Sequence, residues 1–243
     1  MNMKSVLTVA ALCAACLTLP AVAAPRVSDS CGMDYLVAAQ NLSPWYAGAF
    51  FRNHDRDITL DNGIRHRFNT DRAGGFVAFD ITRWLTVYGM AACTWNNFDD
   101  VSHRQDTSTF YGAGLWFNIL DHDLLDGLML ENRFRLDACA QFMMGDTEIV
   151  GEDLSYVEFY GSLTASIVNE IVGDKSMWPE AIGVFFGPSV TSWDSSDFDA
   201  DHEDLGFAVG LDVYLTRRTI LSAAFEIYEK GENATGITLG TRF

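Results

Sequence analysis

The chain is 243 residues long, 13% of them aromatic, and 33 acidic against 16 basic residues give it a formal net charge of −17. The length allows one barrel or at most two small domains, and the negative charge argues against nucleic acid, and against anionic lipid held by a basic patch, as partners. Beyond the leader described next, the three cysteines Cys31, Cys93 and Cys139 are odd in number and scattered, so neither a disulfide framework nor a zinc site is expected.

The N-terminus has the pattern of an export signal. Lys4 precedes an apolar run, Val6–Leu19, and small residues ending at Ala23 follow it. We therefore predict a signal peptide over residues 1–23, cleaved after Ala23, and a periplasmic N-terminal segment over residues 24–44. Beyond the signal, no stretch of the sequence is long and uncharged enough to predict a transmembrane helix.

From Trp45 onward the sequence alternates between apolar and polar residues with the period of two that a β-strand shows and a helix does not. The segment Leu128–Phe142 is one example. Its apolar face includes Phe134, and its polar face includes Arg133 and Arg135. About ten such segments, separated by turn or loop residues, predict an all-β chain. The predicted strands lie near Trp45–His54, Phe68–Asp80, Trp84–Trp95, Thr107–Asn118, Leu128–Phe142, Leu154–Val168, Ala181–Trp193, Leu205–Leu215, Thr219–Glu229 and Ala234–Phe243.

These strands predict a closed antiparallel up-and-down transmembrane β-barrel of about ten strands over residues 45–243, with eight or twelve as alternative counts. A soluble barrel would bury the apolar face, whereas a membrane barrel turns it to lipid and encloses a polar lumen. Aromatic residues at the strand ends and an even strand number, which puts both termini on the periplasmic side, favour the membrane barrel. The connectors agree, because Ile81–Arg83 is tight while Asp194–Asp204 on the opposite side is long and acidic.

In a membrane barrel the polar face lines the lumen and carries charges of both signs. A register slip of one residue would turn Arg133 and Arg135 to lipid, at a cost of about 2–4 kcal/mol each near the midplane, so we expect a firmly set register. The charges either pair and fill a narrow barrel or line a charged pore, and a barrel of this size leaves little free room. The predicted lumen network consists of Arg52, Arg72, Glu131, Arg133, Arg135, Asp137, Glu158, Asp212, Glu226 and Arg242. The parity also places His54 and Asp80 in the lumen.

An acidic loop near the C-terminus could bind a divalent cation. Asp197, Asp199 and Asp201 would supply hard oxygen ligands. The segment is not an EF-hand, because His202 stands where the turn glycine belongs. A solvated acidic loop is the alternative interpretation.

Two dipeptides contain residue types used in catalysis. His54-Asp55 could be an acid–base pair, and Ser102-His103 could belong to an acyl-transfer site. Adjacent residues point to opposite faces of any strand, so neither dipeptide forms a site by itself. We predict no catalytic residue and no cofactor.

The last predicted strand ends on an aromatic residue, Phe243, which shares a face with Ile237 and Leu239. The segment Gly236–Phe243 resembles the C-terminal strand signal of bacterial outer-membrane β-barrels, and Phe79–Gly89 is similar to their periplasmic hairpins. The resemblance covers the architecture from about Trp45 onward. It implies an outer-membrane location in a Gram-negative-type bacterium, with membrane lipid and the barrel-assembly machinery as partners. It also implies that Phe243 is a membrane anchor and assembly signal.

The sequence therefore predicts an outer-membrane barrel of structural or surface-interaction type, with or without a narrow pore. A hydrolase with a site at the extracellular rim, acting on lipid or peptide, is one alternative, and a small-solute porin is another. The sequence leaves any extracellular partner open.

Overall fold

The structure is a computed structural model that describes residues 44–59, 65–82, 84–98, 106–125, 131–149, 152–170, 179–195, 202–216 and 218–243. The structural statements below concern these residues. The predicted signal peptide over residues 1–23, the rest of the N-terminal segment up to residue 43, and the metal candidates Asp197, Asp199 and Asp201 lie outside them.

The alternating segments form ten strands in the described part of the chain. They are β1 (Trp45–Thr59), β2 (Arg65–Asp80), β3 (Leu85–Phe98), β4 (Asp106–Leu125), β5 (Glu131–Ile149), β6 (Glu152–Glu170), β7 (Ala181–Ser195), β8 (His202–Tyr214), β9 (Thr219–Tyr228) and β10 (Asn233–Arg242). A short 3₁₀ turn, Glu229–Gly231, joins β9 to β10, and Gly231 takes a φ of 83° that a residue without a Cβ adopts readily. Within the described ranges, no helix has the length and hydropathy to cross a membrane.

Every strand pairs antiparallel with its neighbours along the chain, and β1 closes the ring by pairing with β10. In this closing pair Tyr46 lies opposite Arg242, and Asp55 lies opposite Asn233. Closure leaves no unpaired sheet edge. The predicted closed up-and-down barrel of about ten strands is confirmed, and the alternative counts of eight and twelve are wrong.

Several strands run past their predicted ends, and β4 is the one in which an irregularity explains the difference. It extends to Leu125 instead of ending near Asn118. The register against β5 shifts between Asn118 and Leu120, so Ile119 is an extra residue in the ladder. Such a bulge interrupts the alternation of faces while the hydrogen-bonded pairing continues past it. The end of the sequence pattern therefore marks the bulge and not the end of the strand.

The outer face of the barrel is apolar. On β10, Ile237 is 54% exposed and Leu239 is 46% exposed. Similar outward side chains occur around the ring, including Phe51, Val77, Leu115, Phe142, Ile167, Val184, Phe207 and Phe225. An exposed apolar belt of this extent is what a membrane barrel presents to lipid.

Trp45 and Phe243 lie at the same rim of the barrel, where the backbone N–H of Phe243 donates to the carbonyl of Trp45 at 3.2 Å. The turn before β9 reaches this rim as well, because Arg242 donates its backbone N–H to the carbonyl of Arg218 at 2.8 Å. We call this rim the terminus end of the barrel and the opposite rim the loop end.

Candidate functional site

The inward-facing charged side chains form separate clusters along the barrel axis. One lies in the half toward the loop end and is built around two glutamates. The others lie toward the terminus end and are built around aspartates. The first group contains the ion pair that crosses the full width of the barrel.

Glu158, on β6, is fully buried and accepts hydrogen bonds from two arginines. Arg72 of β2 donates to its Oε2 at 2.5 Å, and Arg56 of β1 donates to its Oε1 at 3.1 Å. In the ring of ten strands, β6 is five places from β1 in either direction. The pair between Arg56 and Glu158 therefore crosses the full width of the lumen.

Glu226, on β9, forms the second carboxylate of this half. Its Oε2 accepts a hydrogen bond from Arg52 at 2.8 Å and another from the hydroxyl of Tyr228. Its Oε1 accepts from the hydroxyl of Tyr160 at 3.1 Å. The guanidinium of Arg52 also lies over the Tyr160 ring, 4.9 Å from its centroid. Since β6 and β9 are three strands apart, these contacts also bridge the lumen.

Aromatic side chains pack around the ion pairs. Arg72 lies over the ring of Phe110 at 4.3 Å, and Arg56 lies over the ring of Trp193 at 6.0 Å. The buried cluster comprises Phe68, Ala92, Phe110, Met143, Tyr156, Tyr160 and Trp193. These side chains point into the barrel yet exclude solvent, so the lumen is filled at this level. Charges in such a place depend on their partners, because burial removes the water that would otherwise solvate them.

His54 is fully buried beside this cluster. Its Nδ1 lies 2.7 Å from Nη2 of Arg56, and its ring stacks on Tyr228 with the centroids 5.4 Å apart. Because a guanidinium can only donate, Nδ1 accepts and the imidazole carries its proton on Nε2. Asp55 points the other way and accepts from Nε of Arg67 at 2.8 Å. The geometry therefore makes His54 a packing residue of the lumen, separate from Asp55.

Toward the terminus end, Asp121 of β4 lies between two arginines of β5. Nε of Arg133 donates to its Oδ1, and Nε of Arg135 lies 3.8 Å from its Oδ2. Arg135 also donates to the hydroxyl of Tyr214 at 3.1 Å. These contacts join β5 to its neighbour β4 and to β8, which is three strands away in the ring.

Three further carboxylates at this end are each held by a neighbour. Asp137 accepts from the Asn118 amide at 2.8 Å, and Asp212 accepts from the Ser222 hydroxyl at 2.6 Å. The third carboxylate, that of Asp80, lies near the rim and forms an ion pair with Arg242 at 2.6 Å. Each of these three carboxylates thus has a partner no more than two strands away.

Most of the predicted lumen residues occupy inward positions. They are Arg52, Arg72, Arg133, Arg135, Asp137, Glu158, Asp212, Glu226 and Arg242. Glu131 begins β5, and its side chain is outside the described part. Phe243 is 61% exposed at the terminus end. Cys93 faces outward and Cys139 inward, both as free thiols. Within the described ranges, no group of three or more His, Cys, Asp or Glu side chains is placed to hold a metal ion.

Sequence reasoning missed two charged residues of these clusters. Arg56 lies beyond the predicted end of the first strand at His54. Asp121 has the parity of the outward residues Tyr111 and Leu115, and the bulge at Ile119 turns it inward. A charged residue at an outward parity was a signal that could have revealed the bulge.

Comparison with known proteins finds no matching family model and no curated relative. Solved structures that resemble the chain are bacterial outer-membrane β-barrels. The translocator domain of the autotransporter NalP from Neisseria meningitidis has a TM-score of 0.46 at 10% identity, over 84% of this chain and 90% of that one. An outer-membrane channel from Pseudomonas putida F1 has a TM-score of 0.39 at 10% identity, over 86% and 98%.

Neisserial surface protein A has a TM-score of 0.34 at 13% identity, and the match covers 84% of this chain and 98% of that one. These proteins differ from one another in function, and the likeness is too distant to carry an argument about this chain.

Proposed function

We propose that this protein is a bacterial outer-membrane β-barrel of structural or surface-interaction type, with a lumen that solutes do not cross. The observation that carries the proposal is the buried cluster around Glu158, in which Arg56 and Arg72 reach a carboxylate on the far wall. A passing solute would have to separate these charges where no water replaces them. Breaking a buried pair costs about 3–5 kcal/mol.

Three features support the outer membrane as the location. The barrel has an apolar belt on its outer face. Its sheet is closed, as a sheet in hydrocarbon must be. Residues 1–23 have the pattern of a cleaved export signal. On this proposal the partners are outer-membrane lipid around the belt and the barrel-assembly machinery, which would read the strand that ends in Phe243.

The two alternatives make different demands on the barrel. A small-solute porin needs a continuous aqueous path, which the packing of Phe68, Phe110 and Trp193 opposes. A hydrolase needs an accessible base at the extracellular rim. His54, the candidate base on β1, is instead buried against Arg56. The two alternatives predict conductance and hydrolysis, respectively, for the purified protein.

Planar-bilayer recording of the protein purified from membranes tests the closed lumen. We expect no steady conductance above that of lipid alone, with heat-dependent gel migration as the check that the barrel is folded. A large, stable conductance of the folded protein would contradict closure and favour the porin. Hydrolysis of lipid or peptide by the same preparation would favour the hydrolase, and recovery in the soluble periplasmic fraction would contradict the membrane location.

A further inference from the structure

We propose that the terminus-end half of the lumen is a blind pocket that binds a single-chain anionic amphiphile, with the acyl chain inside and the anionic head at Arg218. Three features of this half support the pocket: a cavity, the apolar side chains of its walls and one cation at its mouth.

A cavity of about 400 Å³ occupies the lumen between the glutamate cluster and the terminus end. Arg52, Arg72 and Phe110 form its inner limit, and these residues belong to the filled half of the barrel. Its lining extends to Trp84 and Arg218, which are exposed at the terminus end. The cavity is therefore closed on one side and reaches the rim on the other. Its volume is within the range of about 300–1,000 Å³ that ligand sites have.

One side chain indicates that solvent enters this cavity. Trp116 faces inward on β4, opposite Cys139, and both line the cavity. The Trp116 side chain is nevertheless 44% exposed. At the loop end, the inward Trp193 belongs to the filled cluster and is 3% exposed. Solvent thus reaches the cavity beside Trp116, although other lining residues such as Tyr214 are buried.

The walls are suited to an acyl chain. Large apolar side chains line much of the cavity, namely Phe50, Phe76, Tyr88, Met90, Phe185 and Ile220. Arg242 at the mouth and Gly236 near the inner limit are six residues apart on β10, which corresponds to about 20 Å along the strand. A narrow, deep and largely apolar space accommodates one extended chain better than a compact polar solute.

Among the charged groups that line the cavity, all but one cation have a partner within the described part of the barrel. Those inside the cavity are engaged: Arg52 with Glu226, Arg72 with Glu158, Arg135 with Tyr214 and Arg242 with Asp80. The carboxylates of Asp137 and Asp212 accept from Asn118 and Ser222.

Arg218 differs from these arginines, because its guanidinium has no ion pair within the described residues and is exposed at the mouth. A carboxylate head can therefore reach Arg218 while the chain of the same molecule lies along the apolar wall. Arginine is the side chain best suited to such a bidentate contact.

Cys139 provides a direct readout, because its thiol lines the cavity 3.2 Å from the Tyr88 hydroxyl. In a Cys31→Ser/Cys93→Ser variant it is the last cysteine beyond the predicted leader. We expect a small neutral thiol reagent to modify it in lipid nanodiscs. Decanoate at ten times its Kd should slow the modification by about tenfold, because the free fraction falls in that proportion. A Cys31→Ser/Cys139→Ser variant, which keeps the outward Cys93, should show no such protection.

Two further variants test the head and the chain separately. Arg218→Gln should raise the decanoate concentration needed for protection by about tenfold while protection by uncharged decanol stays the same. Arg67→Gln, an exposed arginine toward the loop end, is the matched control and should change neither. Thr238→Phe, which fills the cavity wall, should abolish protection by both probes.

Each contrary result overturns a stated part of the proposal. An unreactive Cys139 would mean that the mouth is closed. Free reaction without protection by decanoate would mean that the pocket does not take an acyl chain. Equal protection in Arg218→Gln would mean that the head is not recognised. Reaction that requires deletion of residues 24–43 would mean that the chain's own N-terminal segment is the occupant.

Discussion

Arg56 and Glu158 join opposite walls of the barrel, with Nη2 and Oε1 3.1 Å apart although their strands are as distant as a ring of ten allows. Glu158 also binds Arg72, so one carboxylate holds two guanidinium groups. Removing the glutamate leaves two buried cations without a carboxylate partner. Removing either arginine leaves the other pair in place, which makes Glu158 the central residue of the closed half.

We expect Glu158→Gln to lower the free energy of unfolding by about 3–5 kcal/mol, because it keeps the volume but removes the negative charge that Arg56 and Arg72 share. Arg72→Met should cost less, since the pair between Arg56 and Glu158 survives. Urea unfolding in lipid vesicles measures both. Glu229→Gln, at an exposed glutamate of the β9–β10 turn, should stay within about 0.5 kcal/mol. Equal stability of Glu158→Gln and this control would show that the cluster contributes nothing.

The position of a charge along the axis should decide whether its loss opens a leak. Glu158→Ala removes both the charge and the volume of the crossing carboxylate, and we expect it to produce measurable conductance in planar bilayers. Arg133→Gln removes a contact to Asp121 in the wall at the terminus end. It should lower stability by about 1–3 kcal/mol without conductance, because the filled half stays intact. Conductance in Arg133→Gln but not in Glu158→Ala would contradict a barrier to solutes at the loop end.

The bulge in β4 predicts unequal tolerance to single-residue deletions. Deleting Ile119 should remove the bulge and keep Asn118 and Asp121 facing inward, so the barrel should still assemble. Deleting Ala113 in the regular part of the same strand should move one side of β4 to the wrong face and prevent assembly. Heat-dependent gel migration of membrane fractions reports assembly. Equal loss for both deletions would contradict the assignment of Ile119 as the extra residue.

Phe243 is exposed at the terminus end, and its backbone N–H bonds to the carbonyl of Trp45. If it is the membrane anchor and assembly signal that the resemblance implies, deleting it or adding a charged extension after it should reduce assembly sharply. Thr241→Val, on the same outward face, should be nearly neutral because it removes one exposed hydroxyl contact to Thr219. The amount of heat-resistant barrel in membrane fractions measures the effect. If the truncated chain assembles at the parental level, Phe243 is not an assembly signal.

The regular parts of the barrel could be predicted because a strand repeats with period two. On β5, parity alone predicts that Arg133, Arg135 and Asp137 face inward and that Phe142 faces outward. Prediction stopped where the period is interrupted. Ile119 shifts the phase of β4 by one residue, and Asp121 therefore reaches the lumen against its parity.

The sequence by itself determined the all-β class, the approximate number of strands and the face on which most side chains lie, because these follow from local alternation. Only the tertiary structure decided which inward charges meet. Arg56 and Glu158 are 102 positions apart, and their contact exists because ten tilted strands close at a width that two long side chains span. The separation of the lumen into a filled loop-end cluster and a cavity toward the terminus end was decided in the same way. It depends on how the inward side chains of all ten strands pack in one lumen, and the sequence of a single strand does not determine that packing.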